Sequence, residues 1–450
     1  MTFPIAAIIL AAGKGTRMKS DTHKVLHPLA GRPMLLHLID GVAALDPART
    51  IVVVGAGREQ VEAAVRPHGA ETVHQAEQLG TGHAVRMAED ALAGFEGDVL
   101  VLFGDVPRVT ADTLRRMLAR LHAADAPATV ALGFRPVNPA AYGRVIADAD
   151  GRMDRIVEFK DASPEERAVT LCNSGLFAAR AADLFDLLAR IDNDNAAGEY
   201  YLPDIVAVAA ADGRHSAVIE VAAAEVAGIN SRGELAAVEA DWQQARRAQA
   251  MADGATLIAP ETVWFAYDTS LGRDVLIEPN VFFGPGVTIA DNVTIHAFSH
   301  IEGATIARGV SVGPYARLRP GTVLGEGAKI GNFVETKKAV LGKGAKANHL
   351  SYLGDAEVGA GANIGAGTIT CNYDGFLKYG TKIGDGAFIG SNSALVAPVA
   401  IGAGAIVGAG SVVTRDVEAD ALALTRGEQT SKAGWGARFR ARMAARKAAK

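Results

Sequence analysis

Ile383-Gly384-Asp385-Gly386-Ala387-Phe388-Ile389-Gly390 sets one aliphatic residue six positions after another, each followed by glycine, and Ile401-Gly402-Ala403-Gly404-Ala405-Ile406-Val407-Gly408 repeats the arrangement. The same step extends through Leu271, Ile277, Phe283, Ile289, Ile295 and Ile301, then Ile306, Val312, Leu318, Leu324 and Ile330, then Leu395 and Val413. A strand alternates its side chains every second residue and a helix about every 3.6, so neither alone produces this rhythm. Short strands joined by sharp glycine corners do, each hexapeptide forming one side of a coil with its aliphatic residue turned inward. The pattern predicts a left-handed parallel β-helix of hexapeptide repeats. Ordinary strands with glycine turns would not hold one register over so long a stretch. Two breaks interrupt it: residues 331–340 slip by one, and Gly365 to Lys382 carries the polar loop Thr370-Cys371-Asn372-Tyr373-Asp374-Gly375. Loops inserted into a solenoid often lie on its working face.

Towards the N-terminus the composition changes, with 20 of the 50 glycines in the first 250 residues and 30 in the last 200. Apolar runs at Ile5 to Leu10, Thr50 to Val54, Val99 to Phe103 and Thr129 to Phe134 alternate with helical patterns such as Met34 to Leu45 and His83 to Leu92. That alternation predicts a Rossmann-like α/β domain with a mainly parallel sheet. Strong helix formers from Ser231 onward, without glycine or proline after Gly233, predict a connecting helix. The expected division is residues 1–230, a linker helix at 231–252, and the β-helix with a basic tail at 253–450.

With 49% apolar and 21% charged residues in 450, the composition is that of a globular protein of two or three domains. No apolar run approaches the ~20 residues of a bilayer span, so no integral membrane association is expected. Met1-Thr2-Phe3-Pro4-Ile5 lacks a basic n-region and reads as the start of a buried strand rather than a signal peptide, which implies a cytoplasmic location. Cys172 and Cys371 are expected to be reduced thiols. A net charge of -5 gives no reason to bind nucleic acid, although seven Lys/Arg and no acid follow Gln429.

Leu10-Ala11-Ala12-Gly13-Lys14-Gly15-Thr16-Arg17-Met18 lies between a predicted strand and a helix, where backbone N–H groups can cradle an anion. The Walker order is missing, and Met18 stands where the third glycine of a dinucleotide loop belongs, so both of those readings fail. Lys24 follows closely enough to neutralise phosphate. Asp105, in Gly104-Asp105-Val106-Pro107, sits at the carboxyl end of a predicted parallel strand, where ligands and Mg²⁺ are held in such sheets.

With these come Gln75-Ala76-Glu77-Gln78-Leu79-Gly80-Thr81-Gly82-His83-Ala84, Tyr142-Gly143-Arg144, Ile156-Val157-Glu158, Asn173-Ser174-Gly175 and Gly228-Ile229-Asn230-Ser231-Arg232. Together the motifs resemble the sugar-nucleotide pyrophosphorylases. That resemblance implies nucleotide contacts from Leu10, Ala11, Ala12, Gly13, Gln75, Gly80 and Thr81, with Arg17 and Lys24 on phosphate. It implies sugar-phosphate contacts from Gly143, Glu158, Asn173 and Asn230, and Mg²⁺ held by Asp105 and Asn230. Phe103 stands where close relatives often carry Tyr, and His23 where Pro commonly precedes the lysine. The implied reaction is attack of a sugar-1-phosphate on the α-phosphorus of UTP with loss of pyrophosphate, stabilised by Mg²⁺, cations and backbone donors.

In the β-helix, Arg319, Lys337, His349-Leu350-Ser351-Tyr352, Asn363 and Asn372-Tyr373 fall in or near the breaks. The interior of such a coil is aliphatic, so these side chains are expected to project outward. Two cations, a histidine and amide donors suit a phosphorylated amine. The segment resembles the acetyltransferase half of the bifunctional N-acetylglucosamine-1-phosphate uridyltransferase/glucosamine-1-phosphate N-acetyltransferase family, and with the first half the likeness covers nearly the whole chain. It implies glucosamine-1-phosphate bound by Arg319, Lys337, Tyr352 and Asn363, and acetyl-CoA by Ala366, Asn372, Tyr373, Ser391, Ala409 and Arg426. His349 is the expected base, since the sugar ammonium must lose protons before attacking a thioester. Cys371 as a covalent acyl carrier is the competing idea, and a bystander thiol the preferred one. The resemblance also implies a homotrimer with acetyl-transfer sites between subunits. The product, UDP-N-acetylglucosamine, would serve peptidoglycan, lipopolysaccharide and cell-wall precursors.

Two other readings compete. In one the β-helix only regulates a pyrophosphorylase, which His349 with Asn372-Tyr373 speaks against. In the other both folds form a non-catalytic assembly subunit, which the glycine loop with Lys24 and Asp105 speaks against. The basic tail is expected to meet CoA phosphates before Trp435 and to be disordered beyond it.

Overall fold

The computed structural model describes residues 3–139 and 142–449. Met1 and Thr2, in the segment read as lacking an export signal, lie outside the described residues, as does Lys450 of the basic tail. The chain separates into two compact units that divide between Arg246 and Arg247. The dividing point falls inside the helix Arg232–Ala252, which covers nearly the stretch expected for a connecting helix.

The first unit is a nine-stranded sheet. In chain order its strands are β1 (Ile5–Ala11), β2 (Arg49–Val54), β3 (Glu71–His74), β4 (Asp98–Phe103), β5 (Thr129–Phe134), β6 (Arg144–Ala147), β7 (Arg152–Val157), β8 (Cys172–Arg180) and β9 (Ser216–Val221). Across the sheet they run β3-β2-β1-β4-β8-β5-β9-β7-β6. Strands β1 to β4 are parallel to one another, while β8 runs antiparallel to both β4 and β5. Ala6, Ile8 and Leu10 of β1 enter one core and Ala7, Ile9 and Ala11 the other, so the strand is apolar throughout because both its faces are covered. One expected helix is shorter than its periodicity implied. Thr81–Arg86 is α-helical, and the chain then reaches a 3₁₀ turn at Asp90–Leu92 while still burying Ala84, Val85, Ala88 and Leu92.

The second unit is the expected left-handed parallel β-helix. Each coil has three short strands. Leu271, Ile277 and Phe283 pair with Ile289, Ile295 and Ile301, their counterparts three hexapeptides on in the next coil. The following coil, Ile306, Val312 and Leu318, is slightly shorter, because Ile301 to Ile306 is a step of five. The slip assigned to residues 331–340 is narrower than expected. The six-residue step continues to Thr336, which pairs with Leu318 and is fully buried, and only Thr336 to Leu341 is short. An inward threonine has no place in an aliphatic pattern, yet it is satisfied here: the Thr336 and Thr322 hydroxyls are 2.9 Å apart, and Thr322 donates to the Arg319 carbonyl at 2.7 Å. The polar loop enlarges a single coil, since Val358 pairs directly with Ile383 and everything between them belongs to one turn.

The basic tail departs from expectation. Trp435–Ala448 is a helix, in keeping with its alanine and arginine content. Both cysteines are free, Cys172 buried and Cys371 half-buried. No helix among the described residues is long and apolar enough to cross a membrane.

Stacked coils leave no room for a side chain where backbones touch. A Cβ at Gly331 would run into the Asn348 carbonyl of the next coil. Gly331→Ala is therefore expected to destabilise the β-helix by ~1–3 kcal/mol, read as a lowered guanidinium midpoint for this unit. An unchanged midpoint would mean that the coils can separate locally at no cost.

Candidate functional site

Parallel pairing puts the carboxyl ends of β3, β1 and β4 on one side of the sheet. The segments that leave them carry Gln75, Gly13 and Asp105 to one cavity of about 330 Å³. Its walls include Leu10, Ala11, Ala12, Gly13, Lys24, Gln75, Gly80, Thr81, Asp105 and Asn230, all expected from sequence. Gln78 and Glu199 also line it. Gln78 lies in the segment that carried the resemblance and donates to the Ala12 carbonyl at 2.5 Å, whereas nothing in the sequence marked Glu199. A Cβ on Gly13 would meet no protein atom within 4 Å, so packing does not demand glycine there; the space belongs to whatever approaches the loop. Gln75 is buried, its amide 3.1 Å from the Gly80 carbonyl and 3.1 Å from His83 Nδ1.

At one end of this cavity the Lys24 ammonium is held between Asp105 Oδ2 at 2.5 Å and Asn230 Oδ1 at 3.2 Å. Two oxygens from distant segments thus already converge on a single positive charge. Arg17 is exposed and does not line the cavity. His23 has more effect than its place in the sequence implied. Its backbone N–H donates to Gln60 Oε1 at 3.0 Å, a bond proline could not make, and its buried ring has no partner on either nitrogen among the described residues. Burial, then Lys24 and His27, pushes its pKa down, so the ring stays neutral beside the lysine.

A second cavity of about 250 Å³ adjoins the first, sharing Thr81 and Phe103. Tyr142, Gly143, Glu158, Asn173, Ser174 and Gly175 line it. The Phe103 ring packs over Gly175, whose φ of +84° suits glycine and where a Cβ would come within 2.7 Å of that ring. Phe103 therefore gives the wall shared by the two cavities an aromatic ring without a hydroxyl. Burial raises the Glu158 pKa, with Asp204, Asp161 and Glu199 adding to it.

The β-helix residues fall into separate groups. His349 lies at one corner of the coil, and the ladder continues below it: Gly367 N–H to His349 O, Asn392 N–H to Ala366 O, Gly410 N–H to Ser391 O. Arg426 closes the column by donating to the Ala409 carbonyl at 2.7 Å. His349, Ala366, Ser391, Ala409 and Arg426 thus share one edge. His349 Nδ1 is 2.7 Å from Asn332 Oδ1, and an amide oxygen only accepts, so Nδ1 carries the proton and the Nε2 lone pair is free. A cavity of about 420 Å³ opens beside it, lined by Tyr315, Lys329, Asn332, Phe333 and Asn348. None of these residues was expected in the site. Asn332 could have been found by stepping back a single coil from His349, its partner in the ladder.

Arg319, Lys337 and Asn372 gather along the other edge of the face that carries Tyr352. Arg319 pairs with Glu335 at 2.8 Å. The Lys378 ammonium from the inserted loop, and more weakly Arg319, pushes the Lys337 pKa down against the opposing pull of Asp355. Lys378 was missed because position in a loop does not say where its chain returns. Contrary to expectation Asn372 does not project outward; it is buried and donates to Asp355 Oδ2 at 2.5 Å. Tyr373 is exposed. Asn363 lies on the neighbouring face, in register with Lys346 and Phe388, away from Arg319 and Lys337.

Residues 7–158 match the MobA-like NTP transferase domain, and residues 268–303 and 380–415 match the bacterial transferase hexapeptide (six repeats). Proteins named "Bifunctional protein GlmU" from Sphingopyxis alaskensis, Rhizorhabdus wittichii and Zymomonas mobilis are 68%, 69% and 58% identical to this chain. The alignments cover 100%, 99% and 98% of this chain and 99%, 99% and 98% of theirs. The chain belongs to the GlmU family. Like the GlmU relatives it is a bifunctional enzyme, joining a uridylyltransferase to an acetyltransferase in UDP-N-acetylglucosamine synthesis. The regulatory and non-catalytic readings of the β-helix are thereby set aside.

Next to the second cavity, burial and then Asp192 and Asp161 push the Asp204 carboxyl up to about 6. An acid whose folded pKa lies above its unfolded value holds its proton longer when folded. Stability is then greatest below the unfolded value of 3.8 and falls as pH rises through about 6. Asp204→Asn should raise the thermal midpoint of this unit at pH 8 and leave it unchanged at pH 4. An equal gain at both values would refute the assignment.

Proposed function

We propose that residues 1–230 carry uridylyl transfer, that residues 231–252 are a linker helix, and that residues 253–450 carry acetyl transfer in a cytoplasmic homotrimer. The reactions run in order: acetyl-CoA acetylates glucosamine-1-phosphate, then UTP uridylylates the resulting N-acetylglucosamine-1-phosphate. One observation carries the first assignment, the pair of cavities that meet at Thr81 and Phe103. UTP would lie along Leu10 to Gly13, with Gln75, Gly80 and Thr81 on the nucleotide and Lys24 towards its phosphates; Arg17, exposed outside the cavity, would meet only a phosphate that extends beyond it. Gly143, Glu158, Asn173 and Asn230 would hold the sugar phosphate, whose oxygen attacks the α-phosphorus as pyrophosphate leaves. Lys24 and the backbone N–H groups of the loop stabilise the added negative charge, and no protein nucleophile is needed.

Asp105 and Asn230 would hold Mg²⁺. Their oxygens already share one cation, the Lys24 ammonium, and Mg²⁺ is commonly bound by one or two protein ligands together with substrate phosphates. Bound there, it would polarise the phosphate oxygens.

In the second reaction His349 is the base. With Nδ1 committed to Asn332, Nε2 takes the proton from the sugar amine as that amine attacks the thioester carbonyl, and the CoA thiolate departs. Arg319, Lys337 and Tyr352 would hold glucosamine-1-phosphate, joined by Asn363. Ala366, Asn372, Tyr373, Ser391, Ala409 and Arg426 would hold acetyl-CoA. Asn363 stands on a different face from Arg319 and Lys337, so a site that uses all of them draws on a neighbouring copy, which supports the trimer.

His349→Ala should lower acetyl transfer at least ~10²–10⁴-fold and leave uridylyl transfer intact. Lys24→Ala should do the reverse, costing uridylyl transfer ~10²–10³-fold. Separate assays with acetyl-CoA and glucosamine-1-phosphate, and with UTP and N-acetylglucosamine-1-phosphate, test both variants. Joint loss of the two activities in a well-folded variant would overturn the division of labour.

A further inference from the structure

Lys24 follows a turn that draws support from outside its own segment. The chain leaves the 3₁₀ helix Thr16–Met18 through Lys19, whose φ of 48° is left-handed and unfavourable for a residue with a Cβ. Ser20 to His23 then lead to the short 3₁₀ helix Lys24–Leu26, which begins without a side-chain cap from His23. Support comes from the helix Arg58–Val65, anchored in the core by the fully buried Val61 and Val65. Gln60 of that helix is exposed, and its amide spans the turn. Oε1 accepts from the His23 N–H at 3.0 Å, and Nε2 donates to the Asp21 carbonyl at 2.9 Å. One planar group thus holds the backbone on both sides of Thr22.

What rides on that backbone is the lysine. A Cβ on Gly15 would stand 2.5 Å from the Lys24 Cβ, so the stem of Lys24 lies directly against the glycine loop. Its ammonium is shared by Asp105 and Asn230, whose oxygens are the ones assigned above to Mg²⁺. While those oxygens serve the metal the ammonium cannot rely on them, and its place depends on its backbone end. A lysine is a point charge on a flexible stem, so a small drift of its Cα carries the charge away from a phosphate.

We propose that Gln60 is a positioning residue for uridylyl transfer, clamping Asp21 and His23 so that Lys24 is set on the phosphates of UTP. Gln60 lines neither cavity and acts through the turn alone. The role deepens the reading of Lys24 given above and rests on it. His23 itself supplies the control. Its φ of -56° and ψ of 140° lie in the range of proline, which would fix that φ covalently yet lack the N–H that Gln60 accepts. The exchange would cost no side-chain hydrogen bond, since neither imidazole nitrogen has a partner among the described residues.

In the full-length enzyme, Gln60→Ala should lower kcat/KM for UTP ~3–10-fold, the effect of one or two lost hydrogen bonds. KM for N-acetylglucosamine-1-phosphate and the rate of acetyl transfer should stay unchanged, and the thermal midpoint should move by no more than ~2 °C. Amide hydrogen exchange across residues 19–26 of the free enzyme should quicken ~3–10-fold. In a His23→Pro background the same substitution should cost less than ~2-fold by either measure. An equal cost in both backgrounds, equal losses on UTP and on the sugar phosphate, or unchanged exchange would overturn the clamp. If His23→Pro does not fold, the substrate split and the exchange in Gln60→Ala decide alone. Uridylyl transfer lost in Lys24→Ala but intact in Gln60→Ala would overturn the clamp and leave Lys24 its role. Undiminished uridylyl transfer in Lys24→Ala would overturn the reading of Lys24 itself.

Discussion

Parallel backbone pairing between segments distant in sequence is the constraint on which both units depend. In the sheet it aligns β3, β2, β1 and β4 so that the residues following three of them, Gln75, Gly13 and Asp105, arrive at the same edge. In the β-helix it turns positions a full coil apart into neighbours, so that Asn332 and His349 become a hydrogen-bonded pair. Neither site is local in sequence. Each is produced by a ladder of N–H to carbonyl bonds, which fixes position more tightly than a flexible side chain could.

Most of the fold was legible because its signals are periodic. The six-residue step and the alternation of strand and helix survive small local errors. What escaped was the satisfaction of individual polar groups. Thr336 broke the aliphatic rhythm and hid the true position of the slip, although its hydroxyl is bonded inside the coil. The lining of the first cavity was nearly complete from motifs, apart from Glu199, which approaches from a remote segment; Arg17, expected with it, is exposed. The residues expected in acetyl transfer could be named individually from sequence, but their arrangement could not. Whether Asn363 and Arg319 share a face depends on counting corners, and a single five-residue step alters the count. Composition also misled at the end of the chain, where a basic and alanine-rich tail reads equally as a solvated coil or as a helix.

Electrostatics is used differently in the two units. Around the nucleotide loop a single ammonium is shared by two oxygens, and a histidine behind it is kept neutral by burial. On the β-helix, Lys337, Lys378 and Arg319 are crowded together, with Glu335 paired to Arg319 and Asp355 opposing the effect on Lys337. Like charges held together repel, and an anion placed among them would relieve that repulsion.

The enlarged coil between Val358 and Ile383 shows how such a solenoid tolerates change. The extra residues leave and rejoin at a corner, and the coils on either side keep the pairing they would have had without them. A scaffold with this property separates two kinds of heredity in one stretch of chain. The inward positions are answerable to the stack and can vary only together with their neighbours, whereas a corner excursion is tied to the coils at a few points, such as Asn372 to Asp355, and between them can be lengthened, shortened or exchanged as a cassette.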